Sequence, residues 1–228
     1  MMILAATGLQ RERRIVAGPD IEAVAGGGDQ KRLEATLDAR AAAARGIISI
    51  GIAGGLAPGL RAGDWVLADS VLVDGQSIAA DSRWTERLAA RLPEAVRGLL
   101  LGVDTIVADV TQKAALHRAT GALAVDMESH VAARVAARHR LPFAVARVVC
   151  DPAHRTLPPA AHIGMKPDGR MDLPAVLRSL LAQPGQLPGL IVTAWEAERS
   201  FRALLRGHRR LGPGLCGPDL GELVLDVP

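Results

Sequence analysis

Leu123-Ala124-Val125-Asp126-Met127-Glu128-Ser129 and, after an alanine-rich run, Pro142-Phe143-Ala144-Val145-Ala146-Arg147-Val148-Val149-Cys150-Asp151 decide the architecture. The first stretch reads as a short apolar strand, Leu123–Asp126, that ends on carboxylates and runs into a helix from Glu128 to about Arg140. Pro142 blocks further helix, so the β-branched run Phe143–Val149 reads as the next strand. Outward from this unit the alternation repeats. Strands are expected at Met2–Thr7, Glu22–Ala25, Gly46–Ile52, Asp64–Val73 and Gly98–Val107. A helix is expected from a cap at Asp29, with Leu33, Leu37 and Ala41 four apart, to Gly46, and another after Ser82. The fold class is therefore α/β: a single domain, residues 1–228, with a mixed, mostly parallel central sheet flanked by helices.

Beyond Asp151 the texture changes. Residues 152–171 are rich in Pro, Gly and His without periodicity, and read as a long lid-like loop of the kind that usually carries function. A helix capped at Asp172 follows, then one from near Pro188 with Leu190, Ile191, Ala194, Trp195, Phe201 and Leu205 on roughly one face. The Pro/Gly-rich tail after Gly212 is expected to be mobile.

Bulk properties narrow the function. The 228 residues suffice for a sizeable core, and although 49% are apolar, no uncharged run is long enough for a transmembrane helix. The apolar start reads as a strand rather than a signal peptide. Two distant cysteines, Cys150 and Cys216, suit a reducing cytoplasm and give no disulfide framework. The net charge is only +3, tyrosine is absent and Phe occurs twice, so nucleic acid is not an expected partner. The six His show no ligand spacing; neither a metal nor another cofactor is expected.

Ligands of such sheets gather at the carboxyl ends of the strands, where four features fall. Gly51-Ile52-Ala53-Gly54-Gly55-Leu56 ends an apolar strand, either as a tight turn or as backbone that a ligand approaches closely. Asp126-Met127-Glu128 offers carboxylates either to vicinal hydroxyls or to the following helix as caps. Asp151 is either a turn former before Pro152 or a partly buried acid that holds a proton. Glu12, among Arg11, Arg13 and Arg14, is either a surface ion pair or a catalytic group beyond the first strand.

In this order, the segments resemble the purine nucleoside phosphorylase and nucleosidase superfamily over roughly Met2 to Ala153. The resemblance rests on the strand with downstream Glu12, Gly51 to Leu56, Val103-Asp104-Thr105-Ile106-Val107, Ala124 to Ser129, and Pro142 to Asp151. Within it, Thr7-Gly8-Leu9 with Glu12, the run Ser49 to Leu60, Asp126 to Ser129, and Cys150-Asp151-Pro152-Ala153 leading to Arg155–Ala160 are similar to the hopanoid-associated phosphorylase branch. That branch implies release of adenine from adenosylhopane, leaving ribosylhopane or its phosphate. By the resemblance, Asp151 assists the leaving purine, Glu128 holds the ribose hydroxyls, and the Met127 backbone lies under the sugar. Ile106 and Val107 line the base with Phe143 as a wall, and Gly54 and Gly55 contact substrate.

The nucleophile is open at this level. Phosphorylases of the superfamily commonly place an Arg two residues before the first glycine of the strand end and a Ser or Thr after it; here Ser49 and Ile52 stand there. Nucleosidases use a Glu after the first strand to position water, and Glu12 matches, which tips the balance towards hydrolysis. Arg11, Arg13 and Arg14 are the residues that could rebuild an anion site for phosphate as co-substrate. A greasy channel for a lipid tail is expected from Leu157, Pro158, Pro159, Ile163 and Met165. Peripheral contact with anionic membrane is expected from Arg199, Arg202, Arg206, Arg209 and Arg210, unless these are only a solvated helix end. The resemblance further implies a cytoplasmic homo-oligomer. The alternatives are a soluble nucleosidase for a small adenosine derivative such as methylthioadenosine, against which His154 stands where that group has a second Asp, and a silent nucleoside-binding module.

Overall fold

The computed structural model describes residues 2–163 and 172–218. Met2–Thr7 (β1) and Ile21–Ala25 (β2) flank a short helix, Gln10–Val16 (α1); Gln30–Ala41 (α2) leads into the long strand Ala44–Gly55 (β3). Trp65–Val73 (β4) and Gln76–Ala79 (β5) form a hairpin across Asp74-Gly75, both at positive φ, the chemistry that a two-residue turn demands. Then come Ser82–Arg91 (α3), Val96–Gly102 (β6), Val110–Thr120 (α4), Ala124–Asp126 (β7), Ser129–His139 (α5) and Phe143–Asp151 (β8). Pro159–Ile163 (α6), Leu173–Ala182 (α7) and Leu187–Leu211 (α8) complete the described chain.

The sheet is mixed and mostly parallel, as expected. Parallel pairs are β1 with β2 and β3, β3 with β8, β4 with β6, and β6 with β7. Antiparallel pairs are β3 with β7, β4 with β5, and β4 with β8. Because β8 bridges β3 and β4, the pairings β3–β8–β4–β6–β7–β3 close on themselves, leaving β2 and β5 as outer strands. One face packs on α2 and α5 through Leu33, Leu37, Val131 and Val135; the other packs on α1, α3 and α8 through Val16, Trp84, Leu88, Phe201 and Leu204. The strands buried on both faces read as continuous Val/Ile/Ala runs for that reason.

Three expectations need correction. The strand expected at Gly98–Val107 stops at Gly102, and residues 103–108 leave the sheet to form a loop. A Cβ on Gly102 would lie 2.3 Å from the His130 Cβ, so α5 lies hard against the strand where it ends. The apolar residues of α8 do not share one buried face: Phe201, Leu204, Gly207 and Leu211 dock at helical spacing, whereas Ile191 and Trp195 are 58% and 77% exposed. The near part of the tail is anchored, with Leu215 fully buried, its carbonyl accepting from Trp84 Nε1 at 2.8 Å, and Arg87 donating to the Cys216 carbonyl. Residues 219–228, and the 164–171 part of the lid-like loop including Met165, lie outside the described residues.

The dock of α8 on β4 depends on the missing side chain at Gly207, where a Cβ would fall 2.2 Å from the Trp65 ring. Gly207→Ala is expected to lower stability by about 1–3 kcal/mol through overpacking, read as a fall in Tm by thermal unfolding.

Candidate active site

At the carboxyl ends of β1, β3, β7 and β8 lies a pocket of about 230 Å³. Glu12, Asp126, Glu128 and Asp151 line it together with Gly8, Leu9, Ile52, Ala53 and Gly54 from the strand ends. Val103, Thr105, Ile106 and Val107 supply one wall, Met127 lines the pocket from between two of the carboxyl residues in sequence, and the half-exposed Leu157, Ala161 and Thr193 form the rim. Of the residues expected at the site, Glu12, Gly54, Ile106, Val107, Met127, Glu128 and Asp151 thus come together in one cavity.

Others do not. Phe143 sits at the opposite end of β8, buried in the same core cluster as Val145, so it is no wall for a base. Gly55 lies just off the pocket, packed against the Val149 side chain and the Asp151 carbonyl. The three arginines beside Glu12 point elsewhere: Arg11 pairs with Glu198 at 2.6 Å over the Phe201 ring, and Arg13 donates to the Ala23 carbonyl. Arg14 is exposed and outside the pocket. No anion site is built from them, because on a helix whose Glu12 turns inward the adjacent positions must turn away.

Glu12 is held rigidly. It is 1% exposed; its Oε1 accepts from the Ile52 amide at 2.7 Å and its Oε2 from the Leu9 amide at 2.6 Å, which stitches α1 to the end of β3. A Cβ on Gly51 would lie 2.6 Å from that Oε1 and 2.8 Å from Arg147 Nη1, so only glycine lets these two groups meet across β3. Asp126 takes the helix-cap reading: its Oδ1 accepts from the amides of Glu128 and Ser129 at 3.3 and 2.9 Å, and its Oδ2 accepts from the Ser129 hydroxyl. Glu128 is the member of the pair whose side chain is left to face the cavity, 3.1 Å from where a Gly8 Cβ would stand.

Two residues with no role assigned from sequence organise this acid cluster. Arg147, fully buried in β8, pairs through Nε with Asp126 at 2.5 Å and through Nη2 with Glu128 at 3.2 Å. Its Nη2 also donates to Ser49 Oγ at 2.5 Å and its Nη1 to the Ile52 carbonyl at 3.3 Å. Burial opposes its charge, but Asp126, Glu128 and Glu12 outweigh that and hold its pKa above the ordinary value. Lys113, fully buried in α4, stands 2.6 Å from Asp151 Oδ2. An arginine in an apolar strand and a lysine in a mixed helix look unremarkable in sequence. The one available signal was Asp109 and Gly121 bracketing α4 as cap and left-handed stop.

Burial dominates the titration of the acids. It raises Glu12 against the pull of Arg147 and its backbone donors. It lifts Glu128 to about 8, opposed by Arg147 and reinforced by the charges of Asp126 and Glu12. It lifts Asp151 to about 6, opposed by Lys113. The cavity therefore stores protons near neutrality, which is what an acid-assisted departure of a heterocyclic base requires. The wall at Val103 to Val107 is braced from behind: His130 Nε2 contacts Asp104 Oδ1 at 3.0 Å, and Gln30 donates to the Asp104 carbonyl.

A carboxyl whose folded pKa exceeds its unfolded one binds more protons when folded, so its contribution to stability is present at low pH and is lost as pH rises through the folded value. For Glu128 that loss runs from about pH 4.5 to about 8. Glu128→Gln is expected to flatten the fall of Tm over this window and to raise Tm at pH 8 by about 2–4 °C, measured on the ligand-free protein.

Comparison with known proteins agrees with this fold. Among similar solved structures, the S-adenosylhomocysteine nucleosidase of Streptococcus pyogenes matches with TM-score 0.62 and 20% identity, covering 93% of this chain and 98% of that one. The methylthioadenosine/S-adenosylhomocysteine nucleosidase of Neisseria meningitidis matches at 0.61 and 19%, covering 91% and 98%. A futalosine hydrolase of Helicobacter pylori matches at 0.54 and 15%, over 65% and 89%. These likenesses establish a shared fold. The family model of the Phosphorylase superfamily matches residues 30–182, and the chain belongs to that superfamily.

Proposed function

We propose that the protein hydrolyses the N-glycosidic bond of an adenine ribonucleoside. In this reading Asp151 protonates the imidazole-ring nitrogen of the departing purine, Glu128 binds the ribose hydroxyls, and Glu12 orients the attacking water. As these acids ionise, their charge also favours an oxocarbenium-like sugar in the transition state. Water rather than phosphate is supported by one observation above all: Arg147, the buried cation beside the pocket, already donates from Nη1 to the Ile52 carbonyl and from Nη2 to Ser49 and Glu128, while its Nε is ion-paired with Asp126 at 2.5 Å. A phosphate dianion placed there would face three carboxyl groups and would compete with Asp126 and Glu128 for the same guanidinium. Glu12 fits the water role, since both its oxygens are fixed by backbone amides and each keeps a lone pair to accept from a water.

For the substrate, the reading is an adenosine carried on a hopane lipid, yielding adenine and ribosylhopane. The resemblance of the motifs supports it, as does the apolar rim formed by Leu9, Leu157 and Ala161. Beside that rim, Leu187, Ile191 and Trp195 make an exposed stripe at four-residue spacing on α8, suited to meet a lipid surface. Work at the cytoplasmic face of a membrane and a homo-oligomeric state belong to the same proposal. The alternative is a small adenosine derivative such as methylthioadenosine, in keeping with what the similar nucleosidases are named for. No helix among the described residues is long and apolar enough to cross a membrane.

The test is adenine release from lipid-tailed and small adenosines, with and without phosphate. Release without phosphate is expected, with the tailed compound preferred. A strict phosphate requirement would overturn the assignment of water, and no adenine from any of them would overturn the enzyme reading. Asp151→Asn is expected to lower turnover by roughly a hundred- to ten-thousand-fold, the usual worth of general acid help.

A further inference from the structure

Lys113 is the one fully buried residue of α4, although the helix also carries Val110, three alanines and the half-buried Leu116. Its ammonium has three protons and finds three strong acceptors: Asp151 Oδ2 at 2.6 Å, the Arg155 carbonyl at 2.9 Å and the Pro152 carbonyl at 3.2 Å. The Asp151 carbonyl is 3.5 Å away. One lysine thus ties down the carboxyl of Asp151 and the first turn of the chain behind it. The same chain is fastened to the start of α4 from the other side, where Leu157 donates to the Ala108 carbonyl and Val110 to Thr156 Oγ. The loop that walls the pocket at Val103 to Val107 runs directly into this helix.

The surroundings of Asp151 make the contact selective. The carboxyl lies against the Gly54 backbone, and a Cβ there would be 3.3 Å from Oδ2. The other charge facing it is Glu196 of α8, whose partner Arg155 lies at 3.2 Å. The neighbouring Cys150 is kept a neutral thiol by burial, which pushes its pKa upward. Lys113 is the cation that touches the carboxyl.

We infer that Lys113 is a positioning residue: it aims the Asp151 carboxyl into the pocket, holds a fixed positive charge beside it, and clasps residues 152–155 to α4. The charge has a definite sign of effect. An ammonium favours the carboxylate, so it keeps Asp151 from rising as far as burial alone would take it; without it, Asp151 holds its proton to higher pH. The effect on turnover rests on the role proposed above for Asp151, whereas the electrostatic coupling does not.

The carboxyl titration of Asp151 is followed by ¹³C NMR on the whole chain, assigned with Asp151→Asn. In Lys113→Met the midpoint is expected to rise by about one pH unit or more above the native value, and Lys113→Arg is expected to bring it most of the way back. The alkaline limb of kcat/KM for adenine release is expected to move up with it, while kcat falls about tenfold or more because the acid is no longer aimed. An unchanged midpoint in a folded Lys113→Met overturns the inference. If that variant does not fold, Lys113→Gln takes its place; failure of both to fold while Asp151→Asn folds assigns Lys113 to stability alone and also overturns it. A midpoint that moves in a protein that releases no adenine upholds the coupling and counts against the proposed function instead.

Discussion

Everything at the carboxyl end of the sheet is arranged around the burial of Arg147. A guanidinium without water is tolerable only when several acceptors surround it, and Asp126 and Glu128 at the end of β7 and Ser49 and the Ile52 carbonyl of β3 do so. The reverse also holds: Asp126 and Glu128 could not both be buried within one turn without that cation between them. Gly51 is the geometric condition for the arrangement, since it opens the gap through which Arg147 and Glu12 approach each other across β3.

A second, smaller centre repeats the principle with Lys113 and Asp151. The two centres are kept apart by function. Around Arg147 three acids share one base, so burial and mutual repulsion lift Glu128 to about 8; at Lys113 one acid meets one base, and Asp151 rises only to about 6. That separation of roles is how two carboxyls in one cavity come to act differently.

The fold and much of the site were legible in the sequence, and the failures have physical causes. Asp126-Met127-Glu128 and Asp151 stand at strand ends, where the strand rule alone places ligand chemistry. The same rule excludes Phe143, which opens its strand rather than closing it. Asp126 and Glu128 looked equivalent, but only the hydrogen bonds could divide them into a cap and a pocket residue. The helices α1 and α4 were missed because each buries so little, Glu12 and Val16 in one and Lys113 in the other, that neither shows an apolar period. Arg147 was hidden by its neighbours: a charge inside Val/Ala sequence carries no pattern that says whether it is buried and matched.

The closure of the strands through β8 has a consequence for the order of folding. That strand is late in the chain, yet it must insert between β3 and β4, parallel to one and antiparallel to the other, and it carries both Arg147 and Asp151. Contacts of such sequence separation are slow to form because loop-closure entropy opposes them. Until β8 is seated, Asp126, Glu128 and Glu12 have no counter-ion and must stay hydrated. Desolvation of the charges and closure of the ring are then one event, so the pocket is completed late in folding and all at once.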